Sequence, residues 1–318
     1  MISTPKYDLK GIVSCNVFPS GQIKECKLNQ YNEIRVGDRV FVPRYKGPDE
    51  RKKDNKALAF YENGSVKSIA MEERTEVSTG AGSIRAELVT FYEGGEIDSL
   101  FPLNGQIGFG WSEEDEERLL EEIHFSFPFA DFSEKIIGIR FYQSGKTKCL
   151  TLWPKRRIEI NTPIGIYPAR IGFRLYESGE LESFEPAVPI FIKSRIGTIA
   201  AFDQNASGVD ASLNSVNFYQ DGRLKSLATN SDIVVNQISS AERTIIYQQL
   251  RLDNMTGDMC KVPVIVSFFD DQVMFDNGVE KKTVSIDDSK FLFLYDQSYI
   301  EKKCSPGSDC SGCGAACM

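Results

Sequence analysis

The chain has 318 residues, 41% of them hydrophobic, and a net charge of −8. That is enough apolar material for a substantial core. The acidic balance argues against nucleic acid or an anionic membrane surface as partner, since both select clustered Lys and Arg. No stretch approaches the ~18 apolar residues needed to span a bilayer, and Met1–Lys6 opens no apolar run of signal-peptide length, so a cytoplasmic location is expected.

Taken in chain order, the sequence repeats itself. The pattern Phe-Tyr-x-x-Gly-x-apolar-x-Ser-apolar has a degenerate first copy at Val17–Cys26. Full copies follow at Phe60–Ile69, Phe91–Leu100, Phe141–Leu150, Leu175–Phe184 and Phe218–Leu227. The middle of each is turn-forming: Asn63-Gly64, Gly94-Gly95, Ser144-Gly145, Ser178-Gly179 and Asp221-Gly222. The flanks are aromatic and alternating, as strands require. Each copy is therefore predicted to be a β-hairpin. The Asn63-Gly64 pair points to a type I′ turn, which needs positive φ at both central residues.

A weaker glycine-centred motif follows four of the copies, at Ile34–Val40, Ser78–Ile84, Ile158–Ile166 and Lys193–Ile199. It reads as the turn of a second hairpin, so one repeat unit is two hairpins. The basic run Arg51-Lys52-Lys53, bounded by acidic residues, reads as a solvated loop. Between about 111 and 132 the repeat is interrupted. Ser112 can cap a helix there, and Glu113 to Glu117 load its first turn with charge that the helix dipole favours. Leu119, Leu120 and Ile123 would form its apolar stripe, with His124 at its end.

Residues 1–240 form the predicted repeat body. Residues 241–302 read as an atypical β capping unit, as terminal units of arrays often are. Residues 303–318 are a cysteine-rich tail. The fold class expected is all-β: a tandem β-hairpin repeat array, solenoid-type or an extended meander, with one short helical insertion. Whether the array is open, curved or closed is left undecided by the repeats.

The hairpin segment resembles MORN-type repeats in their looser bacterial form. The resemblance rests on Tyr61, Gly64 and Val66; Tyr92, Gly95 and Ile97; Tyr142 and Gly145; Tyr176, Gly179 and Leu181; and Tyr219, Gly222 and Leu224. It implies a β-sheet scaffold that binds protein partners, and no catalytic residue.

The sharpest chemical signal is the tail. Cys304, Cys310, Cys313 and Cys317 lie among Gly, Ser and Ala. The spacing Cys310-x₂-Cys313-x₃-Cys317 matches the last part of a bacterial ferredoxin run, while Cys304 lies too far upstream for the full pattern. Four thiolates can close a tetrahedral zinc site or hold an iron–sulfur cluster, so zinc or iron–sulfur is the expected cofactor. The alternative is an inert tail. The other cysteines, Cys15, Cys26, Cys149 and Cys260, read as small buried hydrophobes.

Other chemistry is thinly supported. His124 is the single histidine, which leaves little room for base catalysis by imidazole. The loop Asp203 to Asp210 carries oxygen ligands at alternate positions, but Asn214 stands where a calcium-binding loop needs Glu, so a polar turn is the simpler reading. Tyr61, Tyr92, Tyr142, Tyr176 and Tyr219 would share one sheet face, as a partner-binding stripe, if their neighbours Phe60, Phe91, Phe141, Leu175 and Phe218 face the core. Packing alone could also account for both sets. The function expected is a non-enzymatic scaffold or binding protein with a metal-binding tail. The alternatives are a redox or metal-delivery accessory acting through the tail thiols, and a plain structural repeat protein.

Overall fold

A computed structural model describes residues 6–105, 107–108, 110–206, 214–252 and 257–295. It divides into two compact units. The first runs to Ala187 and takes in Asn214 and Phe218–Arg223; the second comprises Val188–Ala206, Ser215–Asn217 and the residues from Leu224 onward.

The first unit is an antiparallel meander of hairpins. Its strands, in order across the sheet, are Ile12–Val17, Ile23–Leu28, Leu58–Phe60, Val66–Thr79, Gly82–Phe91, Ile97–Phe101, Ile136–Phe141, Thr147–Leu152, Gly165–Leu175 and Leu181–Pro186. Neighbours in the sheet are thus neighbours in the array, and an extended meander describes it better than a coiled solenoid.

Every copy turns in the same way. Tyr61 N–H donates to the Ser65 carbonyl at 2.8 Å, and Gly64 N–H donates back to the Tyr61 carbonyl at 2.9 Å. The same two bonds recur at Tyr92, Tyr142, Tyr176 and Tyr219, and at Phe18 in the first copy. Gly64 has φ +79°, whereas Asn63 is not among the residues with positive φ. The turn is therefore not type I′. It is a type I turn followed by a left-handed glycine, and the register slips by one residue beside it, between Ala59 and Phe60. Asn63 serves differently: its side-chain oxygen accepts from Ser65 N–H at 2.8 Å.

The four second-motif turns are hairpins, as the glycines indicated. Ile34–Val36 pairs with Arg39–Phe41, and Arg157–Thr162 pairs with the start of Gly165–Leu175. The second motif after Phe60–Ile69 is the far end of two long strands, where Thr79 meets Gly82. A hydroxyl closes three of these turns, two of them in the first unit. Thr79 Oγ1 donates to the Gly82 carbonyl, and Thr162 Oγ1 to the Gly165 carbonyl, each at 2.8 Å.

The core lies between the meander and these second hairpins. In the four meander hairpins after the first an apolar pair faces across the strands: Leu58 with Ile69, Val89 with Leu100, Ile139 with Leu150, Phe173 with Phe184. All eight are buried. The second hairpins lay rings on the same side. Phe41 meets Phe91 at 5.6 Å between centroids, and Phe127, on a further hairpin formed by Ile123–Phe127 and Ala130–Glu134, meets Phe173 at 5.2 Å. Such edge-to-face aromatic pairs add ~0.5–1.5 kcal/mol beyond the area they bury.

The helix is shorter than the sequence suggested. It spans Glu113–Leu119, with Ser112 as N-cap and a reciprocal bond to Asp115. Leu120 is already extended, and Ile123 and His124 belong to the strand Ile123–Phe127, which pairs with Ala130–Glu134. The interruption is therefore half helix and half second hairpin.

In the second unit Ile190–Ser194 pairs with Gly197–Ala201. There Ser194 Oγ donates to the Gly197 carbonyl at 2.7 Å, repeating the hydroxyl closure. Leu224–Thr229, Val264–Phe268, Gln272–Asp276 and Lys281–Ser285 follow one another in a sheet. The last two are joined through Asn277-Gly278, a decayed hairpin turn whose Gly278 has φ +85°. A separate three-stranded sheet places Ser231–Gln237 between Arg243–Ile246 and Ser289–Tyr295. Among the described residues no helix is long and apolar enough to cross a membrane.

Candidate functional site

Phe60, Phe91, Phe141, Leu175 and Phe218 are buried, each at most 3% exposed. Their neighbours Tyr61, Tyr92, Tyr142, Tyr176 and Tyr219 lie half-buried, because adjacent strand residues point to opposite faces. The structure thus brings the five tyrosines into one unit.

Four of the hydroxyls have a specific destination. Tyr61 Oη donates to the Phe91 carbonyl at 2.8 Å, Tyr92 to Phe141 at 2.9 Å, Tyr142 to Leu175 at 2.7 Å and Tyr176 to Phe218 at 2.8 Å. Each tyrosine therefore bonds the residue just before the tyrosine of the next copy. This ladder was not visible in the sequence. It ties turns together and fixes each ring in place. Burial, followed by nearby carboxylates, pushes the Tyr61 hydroxyl above its ordinary pKa, and burial leads the same upward shift at Tyr92, Tyr142 and Tyr176. All four stay protonated donors across the neutral range.

The outer side of the rings carries charge. Lys67 Nζ lies 5.6 Å from the Tyr61 centroid, Lys148 Nζ 5.5 Å from Tyr142, and the Arg223 guanidinium 5.5 Å from Tyr219. In the first copy Lys24 lies 6.0 Å from Phe18. Two other copies carry an acid at the corresponding offset. Asp98 accepts from Thr90 Oγ1 at 2.9 Å, and Glu182 pairs with Arg174 at 2.7 Å. A groove of about 450 Å³ opens on this face, lined by Phe18, Lys24, Tyr61, Lys67 and Asp98.

Arg51 corrects a second reading. It is not in a solvated loop: its side chain is 15% exposed and bridges Glu87 and Glu116. Nη1 and Nη2 donate to the two oxygens of Glu87 at 2.7 and 2.8 Å, while Nε and Nη2 hold Glu116 on the helix. Glu87 also accepts from Asn104 N–H at 3.1 Å. Burial alone would lower the guanidinium pKa, but the bonds to Glu87 and Glu116 outweigh it and raise it. With both carboxylates engaged, the cluster fixes the helix to the sheet. Lys52 is held too, its Nζ donating to the Glu72 carbonyl at 3.0 Å.

His124 is exposed on its strand, with Nδ1 3.3 Å from Ser133 Oγ. Asp203 Oδ1 accepts from Asn205 N–H at 2.9 Å, and residues 207–213 of that loop lie outside the described residues. So do Cys304, Cys310, Cys313 and Cys317. Among the described residues no three His, Cys, Asp or Glu side chains are grouped to hold a metal ion.

Compared with known proteins, the chain matches no family model, no curated protein and no solved structure.

Proposed function

We propose that this protein is a non-enzymatic repeat scaffold that docks a partner protein on the tyrosine face of its hairpin array. The tyrosine ladder carries the reading. The Oη of Tyr61, Tyr92, Tyr142 and Tyr176 is each held by the next copy, so these rings stand at fixed positions with little rotamer freedom left to lose on binding. Rigid aromatic rings with a polar tip are among the side chains that protein interfaces favour. The resemblance to MORN-type repeats agrees with a scaffold role. The test is a photo-crosslinking residue placed at Lys67, on the face, and separately at Glu159, on a second hairpin. Expected is a defined protein adduct from position 67 and none from 159. Adducts from both positions, or from neither, would sink the reading.

The four-cysteine tail adds a second element. Cys304, Cys310, Cys313 and Cys317 have the donor chemistry of a zinc or iron–sulfur site. We propose that the tail binds one of these metals while the array binds the partner.

A further inference from the structure

The first hairpin departs from a rule that the other hairpins of its unit keep. Where they place Leu58 against Ile69, Val89 against Leu100, Ile139 against Leu150 and Phe173 against Phe184, the first hairpin sets Cys15 against Cys26. Neither thiol is in a disulfide. Cys26 is 2% exposed. Cys15 is half-buried, because its strand Ile12–Val17 is the outermost of the meander.

The register brings the two sulfurs to one face. The Cys26 carbonyl accepts from Ala57 N–H at 2.9 Å, so Cys26 turns its backbone polar groups away from the Cys15 strand. Cys15 and Cys26 are thus a non-hydrogen-bonded cross-strand pair. In such pairs the Cα atoms lie about 4.5 Å apart and the side chains approach most closely. A disulfide takes Cα separations of roughly 4.4–6.8 Å, so the pair can close with little backbone movement. A groove of about 340 Å³ opens on both cysteines, lined also by Asn16, Glu25, Asp54 and Lys56. It gives a small reagent a route to Cys15.

We propose that Cys15 and Cys26 form a dithiol site, which a low-molecular-weight disulfide oxidises to an intramolecular cross-strand disulfide. The Cys15 thiol loses its proton to solvent, and its thiolate attacks one sulfur of the small disulfide. A mixed disulfide forms on Cys15 and one small thiol leaves. The Cys26 thiol then gives its proton to solvent as its sulfur attacks Cys15 Sγ, releasing the second small thiol. Two protein thiols are oxidised and one small disulfide is reduced to two thiols. Burial, then Cys15 and Glu25, pushes the Cys26 thiol up to about 12. Cys26 is therefore the resolving thiol and half-exposed Cys15 the attacking one. The bond would pin an outermost strand that, among the described residues, has a neighbouring strand on one side only.

The test uses the full chain, incubated with oxidised glutathione, alkylated and digested with trypsin. Lys24 lies between the two cysteines, so digestion separates Gly11–Lys24 from Glu25–Lys27. The expected product is one species linking these two peptides, abolished by dithiothreitol and accompanied by a higher unfolding midpoint. Cys15→Ser should lose both the linked species and the shift. The proposal is overturned if both cysteines alkylate after oxidation, if glutathione persists on Cys15, or if either cysteine is linked elsewhere. Peptide mapping of the unsubstituted chain decides the matter even if the variant fails to fold.

Discussion

Tyr92 Oη donates to the carbonyl of Phe141, 49 residues further along the chain and one copy further along the array. The insertion between these copies holds a helix and an extra hairpin. The bond nevertheless has the same partners and nearly the same length as the one from Tyr61, which spans 30 residues. What repeats is the contact, whatever the loop length.

Tyr92→Phe keeps the ring and removes the donor, leaving the Phe141 carbonyl without this partner. The expected cost is about 0.5–1.5 kcal/mol, the net value of one such bond. Tyr92→Ala also removes the half-buried ring and should cost more than Tyr92→Phe but less than the ~3–5 kcal/mol of a fully buried aromatic. Denaturant titration of both variants against the unsubstituted chain measures the difference.

Arg51→Met leaves Glu87 and Glu116 as buried carboxylates without their cation. Breaking a buried pair from one side costs about 3–5 kcal/mol, whereas replacing all members by well-packed apolar groups of similar volume is often neutral. Arg51→Met should therefore unfold far more readily than the triple variant Arg51→Met, Glu87→Met, Glu116→Met. Equal midpoints for the two would contradict the role assigned to Arg51.

Two glycines separate strain from collision. At Gly145, with φ +82°, a Cβ meets nothing within 4 Å, so Gly145→Ala carries only the left-handed backbone penalty of about 1–2 kcal/mol. At Gly172, with φ +145°, a Cβ would lie 1.9 Å from the Leu150 carbonyl oxygen, on the adjacent strand. Gly172→Ala should abolish soluble folded protein, and Gly145→Ala should not.

Acid stability should show Glu72. Burial raises its carboxyl pKa, but hydrogen bonds from Tyr45 N–H, Lys46 N–H and the Lys46 ammonium prevail, so the folded value lies below the ordinary 4.5. A depressed carboxyl contributes stability that is present above the unfolded pKa and lost as pH falls through the folded one. The unsubstituted chain should lose midpoint faster than Glu72→Gln as pH drops below 4.5. Parallel curves would remove Glu72 from the account.

Protein purified without oxygen should carry zinc, or iron with visible charge-transfer absorption, and lose it when residues 303–318 are deleted. Metal content unchanged by the deletion would contradict the tail proposal, as would its absence from both forms.

Much of the fold could be read in the chain, because hairpin turns depend on nearby residues. Gly64 and its equivalents marked one set of turns, and Gly37, Gly82, Gly165 and Gly197 marked the other. The turn type was misread for a local reason. An Asn-Gly pair fits both a type I′ turn and the end of a type I turn with a left-handed glycine, and the φ angles of Asn63 and Gly64 distinguish them. Distant pairings were not legible. Arg51 meets Glu116 across 65 residues, and a basic run beside acids looks the same whether solvated or buried. The tyrosines were singled out as a surface, but the destination of their hydroxyls depends on strand order. The Cys15–Cys26 pair likewise follows from register, which no spacing rule supplies.

The central claim is that one tyrosine bond per copy holds the array in register. The direct measurement is the unfolding free energy of a variant with Tyr61, Tyr92, Tyr142 and Tyr176 all changed to Phe. Four bonds at roughly 0.5–1.5 kcal/mol each predict a cumulative loss of about 2–6 kcal/mol. A quadruple variant within about 0.5 kcal/mol of the unsubstituted chain, the range of an ordinary surface change, would contradict it.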